Sequence, residues 1–351
     1  MKLYDRVFSR REIEARVGRI EQIGGVRRMR LSDGVEDGVE MIQVRTGGGL
    51  AYSVLPSHGL DISLATVGDV PITYQSPNGD AHPAFYEPEG LGWLRTATLG
   101  LVTTCGFTQA GAPNVDGGEE LGLHGRAHHI PASQVAAQGR WVDDEYQICV
   151  SGTVEESSIF GPKIRLTREI RSVLGDDSLT ISDRYENVGF APAPLMLLYH
   201  CNLGFPLLMR ESTFSFPSRH VEPREAETPM KGYDGWQPPD PGHAERVYLH
   251  SDLETDEHGW AHASIHNPHF PRGFGTGHLP VTVTLSWDTS TLPMLVQWRM
   301  PGAGEHVLGI EPTNCNVRGR AASRADGSLV TMEPGDTRDV SLRLHVSAGG
   351  D

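Results

Sequence analysis

Residues 163–171 read KIRLTREIR. Ile164, Leu166 and Ile170 fall on one face of an extended chain, with Lys163, Arg165, Thr167, Glu169 and Arg171 on the other. A period of two is the signature of a half-buried β-strand. The same alternation recurs in VTVTLSW, where Val281, Val283, Leu285 and Trp287 share a face, and in the final segment with Val340, Leu342, Leu344 and Val346. Segments 18–32, 39–55, 60–75, 145–154, 178–186, 193–201, 293–299, 305–311 and 328–333 also read as strands. The 41 glycines and 24 prolines are spread along the chain and punctuate these segments. Ser9 and Glu12 have capping-box spacing and Gly18 follows, which predicts one helix over 10–17. Many short strands without strand–helix alternation predict an all-β antiparallel sandwich or barrel. No repeat or linker divides the chain, so residues 1–351 are expected to form one domain, with 210–278 as an irregular, insertion-like region.

The 351 residues carry a net charge of -15, and 38% are hydrophobic, enough for a sizeable core. An acidic chain without a basic block is not expected to bind nucleic acid, whose phosphates reward positive patches. Residues 1–17 are charged throughout and contain no apolar signal region, and no apolar run reaches the length of a membrane span. The expectation is a cytoplasmic protein without membrane contact, as monomer or homodimer. Cys105, Cys149, Cys201 and Cys315 are scattered and form no CxxC, which predicts reduced thiols.

Three polar groups stand out against apolar surroundings. In LLYHCNLGFPLL (197–208), His200 and Asn202 interrupt an apolar run. A buried imidazole is either a core group bonded to a carbonyl or a general acid that works near neutral pH. In VLGIEPTNCNV (307–317), Glu311 ends an apolar strand before Pro312. Desolvation there raises a carboxyl toward general-base values, although pairing with Arg318 or Arg320 would serve equally. In GLHGRAHHIPA (122–132), His124 lies between Gly122 and Gly125, whose small size allows close approach. His124 and His128 have the i, i+4 spacing of a zinc pair, but Gly125 and Ile130–Pro131 oppose the helix such a pair needs. LPSHGLDI (55–62) sets His58 and Asp61 at a turn into a strand.

The order of His124 in a glycine-flanked LHG, His200 with Asn202-Leu203 after a strand, and Glu311-Pro312 late in the chain resembles the aldose 1-epimerases, or galactose mutarotases. TTCGFTQAGAP, GEELGLHGR, LLYHCNLGFPLL and GIEPTN are most similar to the DUF4432-type branch of that superfamily. The resemblance implies a β-supersandwich of two large antiparallel sheets with few short helices, and a monosaccharide in an open cleft. It implies Glu311 as general base, His200 as general acid and His124 as a substrate contact, without metal or organic cofactor. Mutarotases also carry a sugar-gripping arginine on an early strand and an aspartate in mid-chain, neither of which has an evident counterpart here. Arg95, Arg126, Arg299 and His58 are candidates for the missing contact. Asn202, Gln297 and Arg299 are further candidate substrate contacts, and Trp298 could stack on a sugar face. The same Glu and His would equally serve an epimerase, isomerase or lyase of an oxidised sugar, and the missing arginine and aspartate leave open a non-catalytic carbohydrate-binding protein.

Overall fold

The structure is a computed structural model that describes residues 1–349. Two large antiparallel sheets dominate it. The KIRLTREIR strand, Lys163–Val173, is central to an eight-stranded sheet, whose order is Ser133–Val142, Glu145–Ser157, Lys163–Val173, Ser178–Asn187, Thr337–Ala348, His278–Asp288, Trp260–Pro271 and Thr213–Ser215. A six-stranded sheet runs in the order Ser218–Pro223, Arg246–Leu253, Met294–Pro301, His306–Thr313, Met196–Leu203 and Thr103–Phe107. A five-stranded sheet formed by residues 25–71 completes the assembly. One hydrophobic core joins all three, with Ile164, Leu166, Ile181 and Leu342 packed in one cluster with Leu197, Tyr199, Ile310, Val44 and Val54. The six-stranded sheet is apolar on both faces. Its second face carries a smaller cluster that includes Cys105, Met196, Leu198, Val247 and Val296. This is the arrangement of two large antiparallel sheets with few short helices expected from the sequence.

Local chemistry explains most boundaries. Ser9 and Glu12 form the expected capping box, but the helix covers only Arg10–Glu14. Segment 39–55 splits into Glu40–Arg45 and Leu50–Leu55, because Gly47 adopts φ +74 and turns the chain between them. The stretch 210–278 is more regular than its composition predicts. It holds four strands, among them the twelve-residue Trp260–Pro271. Ala261, Ala263 and Ile265 form the buried row of that strand, and such small side chains give a weak alternation signal. A short helix, Arg320–Ala325, has no counterpart in the sequence reading. All four cysteines are free thiols, with Cys105, Cys201 and Cys315 buried. Among the described residues no helix is long and apolar enough to cross a membrane.

A cleft built on the second face of the six-stranded sheet

Period two decides what faces the cleft. Along Met196–Leu203, Leu197, Tyr199 and Cys201 enter the main core, so Met196, Leu198 and His200 point to the opposite face. Along His306–Thr313, Leu308 and Ile310 enter the main core, which sends Glu311 to that same opposite face. The register does the rest. Leu198 pairs with Thr313 and Cys201 with Ile310, which sets His200 directly across from Glu311. Val296 of the next strand pairs with Glu311 on its other side. His200 Nε2 lies 3.2 Å from Glu311 Oε1, and both residues are almost fully buried, at 5% and 2% exposure. His200 and Glu311 are therefore neighbours in one row of the cleft floor.

Burial sets their protonation. Desolvation pushes the Glu311 carboxyl well above the ordinary carboxylate range, a rise that Arg224 opposes and Glu245 assists. Desolvation, with His124 adding to it, holds His200 well below the ordinary imidazole range. Both shifts favour the uncharged forms, with the titrating proton on the carboxyl. Moving that proton from carboxyl to imidazole changes no net charge. His200 Nδ1 and Glu311 Oε1 have no aligned hydrogen-bond partner among the described residues, so the pair has bonding capacity to offer a ligand.

His124 joins them from a loop. Its backbone is left-handed at φ +57, and Gly125 follows at φ +71. His124 N donates to Gly111 O and its carbonyl accepts from Gly106 N, both at 2.9 Å. A Cβ on Gly125 would strike the carbonyl oxygen of Gln109, so the close approach requires glycine. The His124 ring meets His200 edge-on at 5.7 Å and leans on Trp93 at 4.8 Å. Burial lowers its pKa to about 4. Trp298 sits 5.4 Å from His200 on the other side. Together these residues floor a cavity of about 540 Å³.

Gly309 makes room for the Glu311 carboxyl. It faces the cleft between Trp298 and Glu311, and a Cβ there would collide with Glu311 Oε1. The carboxyl can swing aside, so Gly309→Ala is expected to leave the fold intact and displace the Glu311 side chain. An unchanged melting temperature with a shifted Glu311 titration, read by calorimetry and NMR, is the expected outcome; a titration like that of the wild type would show that the carboxyl has not moved.

The other candidates lie elsewhere. Gln297 and Arg299 occupy alternate positions to Trp298 and point away from the cleft. Gln297 bonds His250 and the Tyr233 carbonyl, and Arg299 packs over Trp236 and bonds the Gly235 carbonyl. Asn202 shares the face of His200, but it is outside the cleft lining and its Nδ2 donates to the carbonyls of Gly100 and His200. Arg126 lines a neighbouring cavity of about 690 Å³ with Tyr86, Gln109 and Glu156. Arg95 is a surface group paired with Glu87. His58 is fully buried and stacks on His128 at 4.7 Å, outside the cleft lining. His128 lies outside the cleft lining as well, with its Nδ1 bonded to Asp61 at 2.7 Å. Among the described residues no three His, Cys, Asp or Glu are grouped to hold a metal ion.

Two cleft groups escaped the sequence reading. Arg224, just past the strand Ser218–Pro223, lines the cavity and is bonded to Glu225 at 2.9 Å and Glu245 at 3.3 Å. Glu245, just before Arg246–Leu253, also accepts from Trp298 Nε1 at 3.1 Å. Both flank strands within the stretch expected to be irregular.

A model of one family, a domain of unknown function termed DUF4432, matches residues 36–346. The chain belongs to the DUF4432 family. No curated protein matches it significantly in sequence. Among solved structures, a Klebsiella pneumoniae protein provisionally assigned as an aldose 1-epimerase shares 23% identity at a TM-score of 0.81, over 92% of this chain and 83% of its own. Galactose 1-epimerase from Lactobacillus acidophilus shares 12% identity at a TM-score of 0.59, over 93% and 99%. A galactose mutarotase-like protein from Clostridium acetobutylicum shares 11% identity at 0.59, over the same shares. These likenesses establish the fold of the DUF4432 chain.

The buried histidines also predict its acid sensitivity. His124 and His250 have pKa values lowered to about 4, and His58 to about 3, in each case chiefly by burial. Below the ordinary value of 6.5 the unfolded chain binds protons that the folded chain refuses. The contribution of these three histidines to stability is therefore complete above about pH 6.5 and is lost as the pH falls toward 4, by up to about 1.4 kcal/mol per pH unit for each group. Melting temperature measured against pH should decline steadily through this window; a flat profile would contradict the burial.

Proposed function

We propose that the protein is an aldose 1-epimerase that interconverts the anomers of a monosaccharide. The observation that carries this reading is the contact of His200 with Glu311 at the floor of the cleft, with His124 beside them. The anomeric hydroxyl and the ring oxygen of an aldose are bonded to the same carbon. An acid and a base that serve both must be close neighbours, as these are.

The carboxylate of Glu311 takes the proton of the anomeric hydroxyl while the imidazolium of His200 gives one to the ring oxygen. The C1–O5 bond opens to the free aldehyde. Rotation about C1–C2 presents the other carbonyl face, and the same two groups close the ring with roles reversed. The pair ends as it began, with one proton between them. His124 offers a hydrogen bond where charge develops on oxygen. Trp298 offers a ring for stacking.

The test is exchange NMR of the two anomers over a panel of reducing sugars, with His200→Asn beside the wild type. The variant is expected to lose catalysis on the order of a hundredfold or more. Equal rates in the two proteins would sink the assignment. Product analysis in the same tubes tests the rival acid–base reactions: mutarotation changes no connectivity, whereas an epimerase acting beside a carbonyl, or a lyase, yields a new compound.

A further inference from the structure

The cleft has walls of unusual chemistry for a sugar site. None of its lining side chains is an amide or a hydroxyl, among the described residues. Seven are leucine or valine, among them Leu99, Leu123, Val247 and Val296, and Trp93 and Trp298 add two indoles. The charged groups at the mouth are already bonded to protein atoms, although Arg318 has no carboxylate partner among the described residues. Arg224 is bonded to Glu225 and Glu245, Trp298 Nε1 donates to Glu245, and Arg318 Nη2 donates to the Arg224 carbonyl at 3.3 Å. His124, His200 and Glu311 are claimed by the reacting end of a sugar. For hydroxyls far from C1 the wall offers little beyond the unpartnered Trp93 Nε1.

A hydroxyl that enters such a wall gives up its hydrogen bonds to water and gains none, whereas a methyl or methylene gains by leaving water. The lining holds two guanidinium groups, Arg224 and Arg318, and two mouth carboxylates, Glu225 and Glu245, so no excess positive charge awaits a sugar acid or sugar phosphate. We infer that the substrate is a neutral aldose deoxygenated or alkyl-substituted at the end remote from C1, of which a 6-deoxyhexose is the simplest case. The inference rests on the mutarotase reading for its chemistry and on the cavity walls for its choice.

The experiment compares matched pairs: D-galactose with 6-deoxy-D-galactose, D-glucose with 6-deoxy-D-glucose, and L-mannose with 6-deoxy-L-mannose, plus D-glucuronate as the anionic arm. Anomer exchange on the full chain is expected to give a kcat/KM at least tenfold higher for the deoxy member of at least one pair. Parent hexoses that match or exceed their deoxy partners in every pair, or glucuronate as the best substrate, would overturn the inference. Saturation-transfer NMR with Glu311→Gln reads binding apart from turnover. A deoxy preference in binding, with no exchange by the wild type, would sink the mutarotase reading and leave this inference standing. Binding of no sugar would sink the inference. Val247→Thr sets a hydroxyl of the same shape into the wall and is expected to lower the deoxy-to-parent ratio several-fold; an unchanged ratio would count against the apolar wall as its cause.

Discussion

Replacing Glu311 by glutamine will remove anomer exchange and make the protein more stable. Glutamine keeps the shape of the side chain but cannot accept a proton. Loss of a positioned acid or base costs on the order of a hundred- to ten-thousand-fold in rate. The upper part of that range is expected here, because the cleft offers no other carboxylate on the row of His200. The stability effect has the opposite sign. Glu311 is buried, and desolvation raises its pKa well above 4.5. Between 4.5 and that raised value the folded protein holds a proton that the unfolded chain has released, so stability falls as the pH rises through this window. Glutamine never titrates and escapes the penalty. Wild type and Glu311→Gln should therefore melt together near pH 4 and diverge above it, with the variant higher at neutral pH. Equal melting temperatures at pH 7 would mean that the carboxyl is not held under strain by its surroundings. Wild-type turnover in the variant would remove Glu311 from the mechanism. The two readouts are independent, so a dead but unstabilised variant would still locate the base.

The fold was legible where alternation was clean, as in Lys163–Val173 and Thr337–Ala348. The candidate site was legible in part. His200 and Glu311 stood out as polar groups set into apolar strands, which is a local signal. Their contact was not legible, because it depends on the register of two strands over a hundred residues apart in sequence. Parity would have sorted MLVQWRM: Trp298 faces the cleft, so its neighbours Gln297 and Arg299 must point away. Arg224 and Glu245 sit just outside strands, where period two no longer says which way a side chain points. Arg126 and His58 were chosen for their chemistry in loops, and loops carry no periodicity by which direction can be judged.

Arg168 shows the same rule applied to a residue that the alternation itself betrays. It stands on the apolar face of KIRLTREIR, between Leu166 and Ile170, and is fully buried. A charge in a buried row requires partners. Arg168 Nε and Nη2 donate to the two oxygens of Asp183 at 2.9 and 2.6 Å, and Nη1 donates to Asp61 Oδ1 at 2.9 Å. Asp183 lies on the adjacent strand, Asp61 on the five-stranded sheet, and Tyr199, which donates to Asp183, on the strand that carries His200. One guanidinium thus ties three sheets behind the cleft floor. Arg168→Met keeps the length and the apolar stem but leaves two buried carboxylates without a counter-charge. The expected loss is about 3–5 kcal/mol, the usual cost of breaking a buried ion pair from one side. It should appear as a melting temperature lower by several degrees. Arg168→Lys restores a charge but not the planar fork, so it should recover only part of the loss. The triple change that also converts Asp61 and Asp183 to asparagine removes the stranded charges and should be more stable than Arg168→Met alone. If Arg168→Met melts with the wild type, the network is a passenger and the sheets are held by apolar packing alone. If it melts early but the triple variant melts earlier still, the bridging hydrogen bonds, and not the unpaired charges, account for the loss.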